Sequence, residues 1–229
     1  MKAMILAAGL GKRLRPITYR LPKALIEIEG KPLIVHHLEK LASMGIGDVV
    51  INLRHHGQKI RDYLGGGQSW GVRIEYSEES EPLETGGGIK KALPILGEQP
   101  FLCINADIFT DFNFSVLGDA LLPPILGRLL LVENPTHNSK GDFKLESTGL
   151  LLPENPSPNP SLTFSGISLL SPKLLDDVSR KCFPMVDVFR QAINMRLLEG
   201  LKYDGYWCDV GTFERLEKLR ETRSTSGNN

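Results

Sequence analysis

Apolar and polar positions along the chain follow two alternating periods. Ala3 to Ala7 reads as a short buried strand, Asp48-Val49-Val50-Ile51-Asn52 as a second, and Phe101-Leu102-Cys103-Ile104-Asn105-Ala106-Asp107 as a third. Val72 to Tyr76 alternates as a half-buried strand does, and Leu129 to Val132 and Leu162 to Ser168 add two more. Between them lie stretches of helical spacing. Behind Pro32, which suits a first turn, Ile34, Leu38, Leu41 and Ala42 share a face, and Gly45 stops the segment. Gln58 to Leu64 predicts a short helix ended by Gly65-Gly66-Gly67. Lys90-Lys91-Ala92-Leu93 is helical, and Val186, Phe189, Ile193 and Leu197 predict a helix over 186–197.

The smaller pieces fill in around these. Lys23 to Ile26 reads as a short extended piece, and Phe143 to Glu146 as a strand outside the main sheet. Tyr206 to Thr212 is a last strand and turn, with Thr212 as N-cap and Glu214 in the first turn of a closing helix. Pro153 to Pro160 cannot be a helix or a central strand and predicts an exposed loop. Strands alternating with helices predict an α/β fold with a mostly parallel central sheet. One domain over residues 1–223 is expected, followed by a polar tail at 224–229. No internal repeat is visible.

Composition narrows the classes. Lys+Arg and Asp+Glu balance at 27 each in 229 residues, so no overall field exists to hold nucleic acid or an anionic membrane. Anion binding must be local. No run approaches the ~18 apolar residues of a membrane span, and the N-terminus lacks a signal-peptide layout. The 3 cysteines, Cys103, Cys182 and Cys208, have no metal-ligand spacing, and their odd number favours a reducing, cytoplasmic compartment. Cys103 and Cys208 read as buried thiols, and Lys90-Lys91 as a solvated helix face. His36-His37 and His55-His56 are adjacent pairs that point in different directions, so they predict no shared metal.

The candidate chemistry starts where the first strand breaks into Gly9-Leu10-Gly11-Lys12-Arg13. Gly9 and Gly11 let the backbone take positive φ and approach a ligand closely. Such a turn can aim successive N–H groups into an anion-binding concavity, and Arg13 and Lys23 add two cations. A polyphosphate pocket is expected. A dinucleotide-dependent oxidoreductase is disfavoured: Leu14 stands where a third glycine belongs, and the second strand ends Asn52-Leu53 without an acid. Gly86-Gly87-Gly88 at a helix start costs about 1 kcal/mol per residue against alanine. It makes sense either as a flexible helix entry or as a surface for a planar base. Asp107, closing a strand, is a turn residue or a ligand-site carboxylate. Asp209 is its candidate partner for a hard cation.

The whole string Leu6-Ala7-Ala8-Gly9, Gly11, Arg13, Pro16, Thr18, Pro22-Lys23 resembles the signature of sugar-1-phosphate nucleotidyltransferases, with every fixed position filled. The similarity runs from Met1 to about Thr212. It implies a Rossmann-like nucleotidyltransferase fold with a small β part for the sugar. It implies Mg²⁺-dependent joining of a nucleoside triphosphate and a sugar 1-phosphate, releasing pyrophosphate. Arg13, Lys23 and Asp107 would then be catalytic. Ala8, Gly9, Gly11, Lys12, Arg13 and Lys23 would hold the nucleotide, with Gly86 and Gly87 facing the base. Lys23, Asn105 and Asp142 would meet the sugar phosphate, and Asp107 and Asp209 would hold Mg²⁺. Lys12 departs from the threonine of many relatives, but its backbone N–H is expected to act regardless.

Within the family, Pro82 to Ile89, Gly141-Asp142-Phe143 and Thr163 to Ile167 are most similar to the uridylyltransferases that act on N-acetylmuramic acid 1-phosphate in peptidoglycan recycling. That subgroup implies UTP as the donor. GTP with mannose 1-phosphate, or UTP or dTTP with glucose 1-phosphate, are the alternatives. Asp142 also suits an ordinary Gly-Asp turn. A non-catalytic nucleotide-sugar sensor on this fold would be expected to lose a charged position, yet Arg13, Lys23, Asp107 and Asp209 are all present. No nucleic acid or membrane partner is expected, and the chain is expected to be a monomer or small homo-oligomer.

Overall fold

The computed structural model describes residues 1–153 and 161–226. The first half contains β1 (Ala3–Leu6), β2 (Glu27–Ile28), β3 (Lys31–Pro32), α1 (Leu33–Ser43), β4 (Asp48–Leu53), α2 (Gly57–Leu64), β5 (Arg73–Glu78), α3 (Glu84–Leu96), β6 (Phe101–Asn105) and β7 (Ile108–Thr110). The second contains β8 (Gly127–Val132), β9 (Phe143–Leu145), β10 (Leu151–Leu152), β11 (Ser161–Leu170), α4 (Met185–Asn194), β12 (Leu198–Tyr203), β13 (Trp207–Asp209) and α5 (Phe213–Ser226).

β1 pairs in parallel with β4 on one side and β6 on the other, and β5 extends the sheet in parallel beyond β4. Beyond β6 the order is β11, β8, β12. Only β11 runs antiparallel to its neighbours in that path, so the sheet is mostly parallel and carries helices on its faces. The chain leaves β1 towards β4 and β5, then crosses back to β6. Such a reversal opens a crevice beyond the carboxyl ends of the strands.

Alternation along the strands sorts two cores. Ala3, Ile5, Val49, Ile51, Leu102 and Ile104 face Leu38, Leu41 and Ile60 of α1 and α2. Met4, Val50 and Cys103 face the other way, onto Ile89 and Ala92 of α3 and Val188 and Phe189 of α4. Burial on both faces is why these strands read as continuous apolar runs. A third cluster joins Leu14, Ile26 and Phe109 to Val210, Leu216 and Leu219, which ties α5 to the opening loop.

Several local expectations need correction. Lys23–Leu25 is a 3-10 turn, not an extended piece; Leu25 and Ile26 donate to the carbonyls of Pro22 and Lys23. The helix expected over 186–197 is α4, shorter at its end. The backbone reverses at Arg196, whose φ is +58°, and Leu197 has left the helix. β9 does not stand apart: it pairs with the first residues of β11, whose remainder belongs to the main sheet, and β10 completes that antiparallel patch. Cys208 is only partly buried, and Lys90 reaches the Val178 carbonyl. Thr212 caps α5, its hydroxyl accepting from the Arg215 N–H at 3.3 Å. The helix runs through Ser226. Residues 154–160 of the expected loop and 227–229 of the tail lie outside the described residues.

Candidate active site

β1 ends at Leu6, and the chain leaves the sheet at its carboxyl edge. There Ala7 donates its N–H to Asn52 Oδ1 at 2.8 Å, and Asn52 Nδ2 donates to Glu79 Oε1 at 2.7 Å. One buried relay pins the ends of β1, β4 and β5. Burial is the main force raising the Glu79 carboxyl above its usual range, and the Asn52 hydrogen bond opposes it.

The loop that follows is shaped by Gly11, at φ +59°. A Cβ there would fall 2.8 Å from the Thr18 methyl, while the Thr18 hydroxyl donates to the Gly11 carbonyl at 2.9 Å. Gly9 is different. A Cβ on it would meet nothing in the protein, so packing does not require glycine there, yet it lines the cleft. Among the described residues, no group accepts from the backbone N–H of Ala8, Gly9, Leu10 or Gly11. Unpaired amide donors around a glycine turn are suited to an anion.

These residues border a cleft of about 470 Å³, which Lys12, Lys23, Asn52, Asn105 and Asp107 also line. Arg13 is exposed on the turn Lys12–Leu14 and is not among the lining residues. Arg54, Glu79 and Glu84 do line it. Glu84, at the start of α3, sits at φ +59°, a conformation costing a non-glycine residue ~1 kcal/mol.

Gly86 and Gly87 lie behind this wall, not in it. Both donate their N–H to the Phe183 carbonyl, at 3.0 and 3.2 Å. A Cβ on Gly86 would fall 2.3 Å from the Phe183 ring, and one on Gly87 2.1 Å from the Lys181 carbonyl oxygen. Close approach of the 181–183 segment accounts for these two glycines without a base. The wall facing the cleft at this point is Pro82, Leu83, Glu84 and Thr85.

The two acidic elements, remote in sequence, lie side by side. β7 and β13 pair antiparallel with Ile108 opposite Asp209, and Val210 donates its N–H to the Asp107 carbonyl at 2.8 Å. Asp107 forms an ion pair with the Lys23 ammonium. Asp209 Oδ1 accepts from Arg215 Nη1 at 2.8 Å and lies 3.1 Å from His137 Nε2. Burial is the main force raising the Asp209 carboxyl; Arg215 and His137 pull it down, and the Asp107 charge pushes it up. Both side chains remain partly open, at 31% and 21% exposure. Carboxylates are hard oxygen donors of the kind a small divalent cation takes; Asp107 lines the cleft, whereas Asp209, held by Arg215 and His137, is not among the lining residues.

A second cavity of about 450 Å³ adjoins the first; Leu6, Thr85 and Asn105 line both. Asn105 lies against Gly166, at φ +82° within an irregularity of β11, where a Cβ would fall 2.6 Å from Asn105 Nδ2. Asp142 lines this cavity with its carboxylate already engaged: it accepts from the Phe164 N–H at 2.8 Å and from Asn138 Nδ2 at 3.1 Å. Sequence reasoning passed over Asn52, Arg54, Glu79, His137, Arg190 and Arg215. Asn52 alone carried a visible signal, a polar residue closing an apolar strand. Glu79 hid in the acidic run 78–81.

Residues 2–120 match the family described as nucleotidyl transferase. The chain is 44% identical over 225 residues to the N-acetylmuramate alpha-1-phosphate uridylyltransferase of Neisseria meningitidis serogroup B, covering 96% of this chain and 97% of that one. It is 32% identical over 233 residues to the mannose-1-phosphate guanyltransferase of Aspergillus fumigatus, covering 92% of this chain but 61% of that protein. In fold it resembles the crystal structure of HddC from Yersinia pseudotuberculosis, with a TM-score of 0.81 and 24% identity over 97% of this chain and 99% of that one.

Proposed function

The chain belongs to the nucleotidyl transferase family and is a sugar-1-phosphate nucleotidyltransferase; from that premise we propose that it joins UTP and N-acetylmuramic acid 1-phosphate into UDP-N-acetylmuramic acid, releasing pyrophosphate, in peptidoglycan recycling. The observation that carries the reading is a pair of adjoining cavities that share Leu6, Thr85 and Asn105. The glycine loop, Lys23 and Asp107 line one, and Asn105 and Asp142 line the other. The choice of uridylyl donor and muramyl acceptor leans on the 44% relative.

The transfer requires the acceptor phosphate to approach the α-phosphorus in line with the departing pyrophosphate. Catalysis is then mostly positioning and charge stabilisation. The backbone donors of Ala8 to Gly11 hold phosphate oxygens, with Lys12 at the cleft wall and Arg13 on the exposed turn outside it adding positive charge where pyrophosphate leaves. Lys23 holds the acceptor phosphate against the α-phosphate. Asn105 stands where the two cavities meet and orients the sugar. Asp107 and Asp209 would hold Mg²⁺, which supplies further positive charge against the crowded phosphate oxygens when bound.

Pyrophosphate release, measured with UTP, dTTP and GTP against a panel of sugar 1-phosphates, tests this reading. Release is expected with UTP and N-acetylmuramic acid 1-phosphate. Release only with GTP and mannose 1-phosphate, or only with UTP or dTTP and glucose 1-phosphate, would overturn the substrate assignment.

A further inference from the structure

The second cavity has an aromatic wall. Phe143, Phe164 and Phe189 meet there edge to face, with ring centroids 5.6 to 6.4 Å apart, and Met185 lies beside them. Two charged side chains line it, Asp142 and Arg190. Both Asp142 oxygens accept hydrogen bonds within the protein, from Phe164 and Asn138. Arg190 projects from α4, next to Phe189. It also borders a third cavity of about 450 Å³, whose other cations are Lys140 and Lys144. Among the described residues the two cavities are bordered by these three cations and by the Asp142 carboxylate.

A neutral sugar can rest C–H faces on the rings and accept from the guanidinium through its hydroxyls, but it brings no negative charge to it. A sugar with an apolar branch ending in a carboxylate uses both. Its carbon atoms cover the rings, and its charge meets a planar donor that can bind both oxygens at once. Five N–H groups allow that pairing even where one of them serves a protein partner.

We propose that Arg190 selects the acceptor by pairing with a carboxylate on the sugar, which the Phe143–Phe164–Phe189 wall directs towards it. The inference rests on the muramyl reading of the site and adds the residue that enforces it.

The test is a ratio. The kcat/KM for N-acetylmuramic acid 1-phosphate is divided by that for N-acetylglucosamine 1-phosphate, which lacks the carboxylate-bearing branch. The wild type, Arg190→Met and Arg190→Lys are compared, each checked for fold by circular dichroism. Arg190→Met is expected to lower the ratio about tenfold, and Arg190→Lys, which keeps the charge without the fork, less. A ratio unchanged in Arg190→Met overturns the role of Arg190 and leaves the muramyl reading standing. A wild type that uses only neutral sugars overturns the muramyl reading, and the proposal with it.

Discussion

Val210 donates its backbone N–H to the carbonyl of Asp107 at 2.8 Å. Through that bond and the β7–β13 ladder, a late element of the chain delivers Asp209 to the end of a central strand. Neither carboxylate stands alone: Lys23 pairs with the first, and Arg215 and His137 with the second. The protein thus balances each negative charge with its own cation. Asp107→Asn keeps the shape and removes one of these charges. Pyrophosphate release should fall by at least ~10²-fold, the scale on which a positioned charge in an enclosed site acts, with an unchanged circular dichroism spectrum. Wild-type turnover would remove Asp107 from the chemistry.

Lys23 reaches the cleft from the 3-10 turn after Pro22 and is paired with Asp107. If it holds the acceptor phosphate, Lys23→Ala should raise KM for the sugar phosphate more than KM for the triphosphate. Steady-state kinetics varying each substrate in turn decide this. Equal rises for both would contradict the assignment.

Gly87 separates a packing role from a ligand role. An alanine in a helix interior is normally favoured over glycine by about 1 kcal/mol. At Gly87 the added Cβ would fall 2.1 Å from the Lys181 carbonyl oxygen, a backbone atom that cannot rotate away. Gly87→Ala should therefore destabilise by ~1–3 kcal/mol, as overpacked sites do, measured by urea unfolding. A variant as stable as the wild type would return Gly87 to the list of base contacts.

His37 is a buried acid sensor. Burial is the main force pushing its imidazole down, from 6.5 to about 3, with Lys40 and then His36 adding to it. Between those values the unfolded chain binds a proton that the folded chain does not. Stability therefore rises with pH across that window and is lost as pH falls through it. The slope from this one group is about 1.4 kcal/mol per pH unit. His37→Leu should remove that component, seen as a flatter dependence of unfolding free energy on pH between about 6 and 4. Parallel curves for the two proteins would contradict it.

How far the sequence foretells this molecule depends on how local each cause is. β1, β4 and β6 are buried on both faces, so their apolar runs announced them. Thr212 announced the start of α5 by capping chemistry that spans three residues. The turn at Lys23 misled because its apolar residues, Ala24 to Ile26, suit an extended piece equally well. Gly86 and Gly87 are small because a segment near residue 183 presses on them, a cause remote in sequence. Asn52 and Glu79 act through partners on other elements, which no spacing along the chain reveals. Asp107 and Asp209 drew notice as acids closing strands, but only the β7–β13 ladder shows them as neighbours.

Under the proposed function Asp107 and Asp209 share one divalent cation with bound nucleotide. Anomalous diffraction from crystals grown with Mn²⁺ and UTP tests it directly. A manganese peak within bonding distance of both carboxylates and of a phosphate oxygen is the predicted result. A peak bonded to neither aspartate, or UTP bound in the cleft with no manganese beside it, would contradict the account.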